Sequence, residues 1–161
     1  MTHSSKRVLI TDYMRDDTDL EESILNEAGI EVTVAESQDP SSWLSAALEA
    51  DGTLTRHAPI TADTIKQLAQ CRIISRYCTG TDNIDAGSAE EQGIQVAYVA
   101  GYSTSEVADH SWAMALGLSR GVPLFNCLIA DGGWQPAPLP TIHRLEGQTI
   151  GLIGYIDTLV A

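Results

Sequence analysis

Over its first hundred residues the chain alternates short apolar runs of β character with segments of helical period, and this alternation constrains the fold most. Arg7 to Thr11 reads as a buried strand. Leu20, Ile24, Leu25 and Ala28 fall on one helical face, and Gly29 stands where a helix closes. Ile30, Val32 and Val34 alternate with polar residues, as a second strand does. Asp39-Pro40 opens a helix through Trp43, Leu44, Ala47 and Leu48, with Pro40 at its first position. Asp51-Gly52 breaks it, and Thr53 to Thr55 is a short third strand. Thr61 caps a helix carrying Ile65 and Leu68. Arg72 to Tyr77 is a fourth strand, and the polar loop Cys78 to Asp85 follows it. A short helix then runs to about Gln92, Gly93 ends it, and Ile94 to Val99 is a fifth strand. Strands alternating with helices read as βαβ units in a parallel sheet. Right-handed crossovers close such units most simply as a doubly wound α/β sheet.

The organisation changes after Val99. Ser103 or Ser105 can cap a long helix through Arg120, with Val107, Ala108, Trp112, Ala115, Leu116 and Leu118 among its apolar positions. The stretch to Arg144 is expected to be loop-rich, with Gly132-Gly133 and prolines at 123, 136, 138 and 140. Thr149 to Gly154 reads as a further strand. Trp112 and Trp134 are expected to be packing residues.

Charge and composition narrow the functional classes. Nine basic residues against twenty-two acidic ones give a net charge of −13. Nucleic acids and anionic membranes bind basic surfaces, so both are poor partners for this chain. A small anion can still be held locally by one Arg and a few backbone N–H groups. Three widely spaced cysteines, Cys71, Cys78 and Cys127, fit neither a disulfide framework nor a structural zinc site. His3, His57, His110 and His143 show no metal-ligand spacing. His110 directly follows Asp109, and neighbours on a helix point apart, so the two form no acid–base dyad. The acidic run Asp16, Asp17, Asp19, Glu21 and Glu22 reads as a solvated helix N-terminus. No G-x-S-x-G or P-loop occurs. The apolar run Val8-Leu9-Ile10 is too short for a signal-peptide core or a membrane span. A cytoplasmic protein is the expectation.

Several segments, taken together, resemble the D-isomer specific 2-hydroxyacid dehydrogenases. Arg72-Ile-Ile-Ser-Arg-Tyr-Cys-Thr-Gly-Thr-Asp-Asn-Ile-Asp85 is similar to that family's substrate-loop signature. Gly93-Ile-Gln-Val-Ala-Tyr-Val99 resembles the strand that follows it. Val107-Ala-Asp-His-Ser111 resembles the interdomain and dimerisation helix. Leu145-Glu-Gly-Gln-Thr-Ile-Gly-Leu-Ile-Gly154 resembles the first strand of the nicotinamide-dinucleotide domain. Thr53-Leu-Thr-Arg56 points to the branch of phosphoglycerate dehydrogenase and the C-terminal-binding-protein corepressors.

The resemblance implies three parts. Residues 1–101 form a flavodoxin-like substrate domain, 102–146 the interdomain helix and linker, and 147–161 the start of a Rossmann domain. It implies hydride transfer between NAD(H) and a 2-hydroxy or 2-oxo acid, in a homodimer formed through helix 104–120. Trp112 then packs across the two-fold axis or within its own chain. The family's catalytic Arg, Glu and His fall beyond residue 161, so no catalytic residue is assigned here.

On that resemblance, Arg76, Thr79 and Gly80 meet the substrate, and Thr79, Thr104, Gly154 and Tyr155 meet the cofactor. No metal is implied. The loop chemistry agrees: strand-end N–H groups can cradle a carboxylate, and Gly80 lets the backbone come close. Read locally, Gly80-Thr81-Asp82 is a turn and Asp85 an N-cap. Cys78 stands where the family usually has Gly, and its side chain crowds the loop if the position needs positive φ.

The dinucleotide fingerprint G-x-G-x-x-G can begin at Gly154, but its second and third glycines fall on Ile156 and Leu159. The likeness ends abruptly after Tyr155, as a frameshift, a premature stop or a truncated gene model would end it. The chain alone is therefore expected to be inactive. The alternative is a non-catalytic module that binds a carboxylate or dimerises with a full-length paralogue. A receiver domain needs an Asp at the end of its third strand, where this chain has Thr55-Arg56.

Overall fold

The computed structural model describes residues 5–13, 17–35, 39–134 and 141–153. The chain divides into two compact units, Met1–Ala100 and Gly101–Ala161.

The N-terminal unit runs β1 (Lys6–Ile10), α1 (Asp19–Glu27), β2 (Ile30–Val34), α2 (Pro40–Ala47), β3 (Gly52–Thr55), α3 (Ala62–Ile65), β4 (Ile73–Arg76), α4 (Ala86–Glu91) and β5 (Gln95–Tyr98). All five strands pair in parallel in the order β2-β1-β3-β4-β5. This is the doubly wound sheet expected from the alternation, in the flavodoxin-like order that the resemblance implies. The register sets Val8 beside Gly52 and Thr55 beside Arg76, so the carboxyl ends of β1, β3 and β4 lie along one edge of the sheet.

Local chemistry explains the helix starts. Asp39 accepts from the Ser41 N–H at 3.0 Å, with Pro40 in the first turn. Thr61 accepts from Thr64 N–H at 3.4 Å, and Asp85 from Ser88 N–H at 2.9 Å. Each side-chain oxygen satisfies a donor that the first helical turn leaves open. Gly29 and Gly93 close α1 and α4 with positive φ. The core joins Leu9 and Ile74 of the sheet to Trp43, Ile65, Ala89 and Ile94, all buried. The apolar face expected on α1 exists but is not covered: Leu20 and Ile24 are exposed, and no residue of that helix is buried.

The C-terminal unit holds α5 (Thr104–Ser119) and α6 (Val122–Ala130). The second helix corrects the expected loop. Gly121, with positive φ, separates the two, and Pro123 falls in the first turn of α6, where its missing N–H costs nothing. A proline there starts a helix rather than breaking one. The prolines at 136, 138 and 140 lie outside the described residues.

The strand expected over 149–154 is a second correction. Residues 149–153 form no strand, and Ile150, Leu152 and Ile153 are exposed. A parallel strand exists only beside another, and no described strand of this unit offers an edge. Trp112 and Trp134, expected to pack, are also exposed. No single described helix is long and apolar enough to cross a membrane.

Candidate functional site

In a sheet of this order the winding reverses between β1 and β3, and open α/β sheets bind ligands in the crevice outside the strand ends there. The N-terminal unit brings three strand ends to that edge. They supply Asp12 after β1, Thr55 to Ala58 at the end of β3, and Arg76 to Asp82 at the end of β4.

Arg76 is the cation of the site. It is only 6% exposed. Its Nε donates to the Arg56 carbonyl at 2.9 Å and its Nη1 to Asp82 Oδ1 at 2.7 Å. A buried guanidinium persists only with such partners. Asp82 itself is exposed, and the hydrogen bond and charge of Arg76 hold its carboxyl below the usual range.

Gly80 lies against this pair. A Cβ at Gly80 would stand 2.8 Å from Asp82 Oδ1 and 3.3 Å from Arg76 Nη1. The missing side chain therefore makes room for the ion pair as well as for any ligand. Thr79 and Gly80 are exposed, and their backbone N–H groups donate to no described residue. The loop thus sets two donors with no partner among the described residues beside a buried cation.

Other expectations at this edge divide. Asp85 is an N-cap, as the local reading has it, whereas Asp82 is more than a turn residue. No described residue other than glycine has positive φ, so Cys78 sits in ordinary backbone and the expected crowding does not arise. Glu21, read as part of a solvated acidic run, is half-buried with Oε2 fully buried. Burial, then the Glu21 charge, pushes the Tyr77 hydroxyl well above its usual value, which keeps it protonated. Burial likewise pushes the Cys71 thiol up, so this sulfur is an inert core group.

Two residues of this edge escape sequence reasoning. The first is Asp12, a buried carboxylate that accepts from the backbone N–H groups of Arg56, His57 and Ala58. Burial alone would raise its pKa. The hydrogen bonds from Arg56, His57, Thr11 and Ala58 outweigh burial and hold the carboxyl below its usual value. The available signal was an acid directly after the first strand of a doubly wound pattern. The second is Arg56, half-buried, whose Nε lies buried without a partner among the described residues. His57 is exposed, and its backbone N–H donates to Asp12.

Thr104 opens α5 in the C-terminal unit and is half-buried, while Gly154 and Tyr155 lie outside the described residues. No group of three or more His, Cys, Asp or Glu able to hold a metal occurs among the described residues.

Residues 8–149 match the family model described as D-isomer specific 2-hydroxyacid dehydrogenase, catalytic domain. The chain belongs to this family. A hydroxypyruvate reductase of Thermotoga maritima is 31% identical over 150 residues, covering 92% of this chain and 48% of that protein. A glycerate dehydrogenase of Methylorubrum extorquens is 31% identical over 102 residues, 60% of this chain and 32% of that protein. Among solved structures, the D-lactate dehydrogenase of Aquifex aeolicus, complexed with NAD and lactic acid, superposes with a TM-score of 0.71. It is 16% identical, covers 82% of this chain and 39% of that one, and supports the fold alone. The chain thus spans less than half the length of these relatives.

The residues present do not complete a dinucleotide fingerprint. A dinucleotide's pyrophosphate needs a strand, a glycine turn and a helix N-terminus in succession. Residues 149–153 form no strand, and Ile156 and Leu159 replace two of the three glycines. No hydride step is assigned to this chain.

Proposed function

We propose that this chain is the substrate-binding part of an NAD-dependent D-2-hydroxyacid dehydrogenase, and that its own chemistry is recognition of a 2-oxo or 2-hydroxy acid carboxylate. The observation that carries this reading is the conjunction at the end of β4. Arg76 is buried and fixed, and the neighbouring Thr79 and Gly80 are exposed, with backbone N–H groups that donate to no described residue.

A carboxylate accepts up to about four hydrogen bonds, and charge-assisted ones are the strong ones. Arg76 has five N–H donors, and the two bonds to Arg56 and Asp82 leave others for a ligand. In this reading Thr79 and Gly80 hold one carboxylate oxygen, and Arg76 orients the carbonyl end. Arg56 adds positive charge at the rim. NAD is the oxidant and reductant of the complete reaction. Its contacts at Thr79, Thr104, Gly154 and Tyr155 rest on family resemblance alone. In this reading the chain by itself is expected to turn nothing over. A cytoplasmic setting fits the composition.

The same reading pairs two copies through helix 104–120, supported by the exposed Trp112, Met114, Leu116 and Leu118. Should the chain bind carboxylates and dimerise yet never join a catalytic partner, the non-catalytic module is the better description.

Titration of glyoxylate or hydroxypyruvate into 15N-labelled protein tests the site. The amide resonances of Thr79 and Gly80 should move first, and Arg76→Gln should abolish the shifts. Unmoved resonances at millimolar ligand rule the carboxylate site out. NADH oxidation that scales with the concentration of the pure chain would overturn the assignment of no turnover.

A further inference from the structure

Asp12 sits one side of a single peptide group and Arg76 the other. The peptide joins Arg56 to His57. Its N–H, on His57, donates to Asp12 Oδ2 at 2.6 Å, and its C=O, on Arg56, accepts from Arg76 Nε at 2.9 Å. A trans peptide is planar, and its N–H and C=O point in opposite directions. Holding the N–H toward the carboxylate therefore turns the carbonyl toward the guanidinium.

The hold is firm. Asp12 is 5% exposed, and its Oδ1 also accepts from Arg56 N–H at 2.8 Å, Thr11 Oγ1 at 3.0 Å and Thr55 Oγ1 at 3.2 Å. Its Oδ2 also accepts from Ala58 N–H at 3.3 Å. The far side of the turn extends the relay, since the Ala58 carbonyl accepts from Asn83 Nδ2 at 2.9 Å, in the loop that carries Asp82. One carboxylate at the end of β1 thus sets the turn after β3, and that turn sets the loop after β4.

We propose that Asp12 is a positioning residue for Arg76, fixing the Arg56–His57 peptide so that the guanidinium is presented to a 2-oxo acid. It acts through the peptide and does not touch the ligand. The consequence for binding rests on the carboxylate site proposed above; the consequence for Arg76 does not.

The test is Asp12→Asn in the whole chain. The variant keeps the shape but replaces one acceptor oxygen by an NH2 group that cannot receive the backbone donors. In the wild type the Arg76 Nε–H should give a distinct, slowly exchanging 15N signal. In Asp12→Asn that signal should move and exchange at least about tenfold faster, and glyoxylate affinity should fall about tenfold, the size expected for an outer hydrogen-bond partner of a ligand-binding group. Thr61→Ala, a cap variant away from the site, serves as the destabilised control and should leave both readings unchanged. An Arg76 signal that is the same in Asp12→Asn as in the wild type overturns the proposal, as does an affinity that merely follows the melting temperature of the control.

If Asp12→Asn does not fold, Asp12→Glu keeps the charge and both acceptors on an arm one methylene longer. The Arg76 signal must move there too, and an unmoved signal overturns the proposal. If the wild type itself binds no glyoxylate, the carboxylate reading fails, while the Arg76 signal still decides the role of Asp12.

Discussion

The two units bury their apolar side chains to very different degrees. In the N-terminal unit, helices lie against a five-stranded sheet, and Trp43, Ile65 and Ile74 are 1%, 0% and 0% exposed. In the C-terminal unit, α5 buries only Ala108 and α6 buries nothing, although α6 carries no charged residue. The lesson concerns where stability resides. A sheet gives α2, α3 and α4 a surface to cover, though α1 buries no residue, whereas two helices in sequence leave outward stripes that only another surface can cover.

The largest test of this difference is Trp43→Ala. Removing a buried Trp from a packed core costs about 3–5 kcal/mol, from lost transfer energy and the cavity left behind. Urea denaturation should show the N-terminal unit close to unfolded without denaturant. A midpoint shifted only slightly would mean that this core is far looser than its burial implies.

Acidification comes next and should act on the same unit. The Asp12 carboxyl lies below its usual value in the folded state, because its hydrogen-bond donors outweigh burial. A depressed folded pKa contributes stability that is fully present above the unfolded value, about 4, and is lost as pH falls through the folded value. Stability measured by urea titration should therefore fall below about pH 4, and this acid limb should flatten in Asp12→Asn. An equally steep limb in the variant would assign the acid sensitivity to other carboxylates, such as Asp51, which Lys6 and the Arg7 N–H hold low.

These two residues also mark what the sequence could disclose. Trp43 is legible, because a helix opened by Asp39-Pro40 must turn its apolar side to the sheet. The strand alternation, the caps of α2, α3 and α4 and the closing glycines are legible for the same reason: each is a local preference that the global fold does not oppose, whereas Ser103, expected to cap α5, makes no cap bond. The candidate loop is legible where it follows one strand, at Arg76 to Asp85. Asp12 was not, since its three backbone donors lie more than forty residues away and a long-range register had to form first. The α6 helix was hidden by Pro123, read as a breaker although it starts the helix. The supposed strand at 149–154 failed because a strand's identity lies in its neighbour.

Helix capping sharpens the contrast on a smaller scale. Among the helices of the N-terminal unit, α2, α3 and α4 have side chains that accept from their first turns, whereas α5 and α6 have none. Thr61→Ala should cost about 1 kcal/mol, the usual size for a lost cap. Ser103→Ala, at the start of α5, should cost only a few tenths, because no cap bond is lost there. Equal losses in thermal unfolding would mean that Ser103 caps α5 in solution.

The smallest expected effect carries the most information about the C-terminal unit. Trp112 is 54% exposed on α5, against 1% for Trp43. A substitution at such a position ordinarily changes stability by less than about 0.5 kcal/mol, so Trp112→Ala should leave the urea midpoint of dilute protein nearly unchanged. The result depends on concentration if a second copy covers the helix, because a partner that binds only the folded chain stabilises it by mass action. Denaturation at rising protein concentration then separates the cases. A midpoint that climbs in the wild type but stays flat in Trp112→Ala places this indole in an interface between copies. Midpoints that stay flat in both leave α5 uncovered in solution and remove the support for pairing through helix 104–120. A loss as large as that of Trp43→Ala in dilute protein would instead mean that the indole packs within its own chain, and the contrast between the two units would fall.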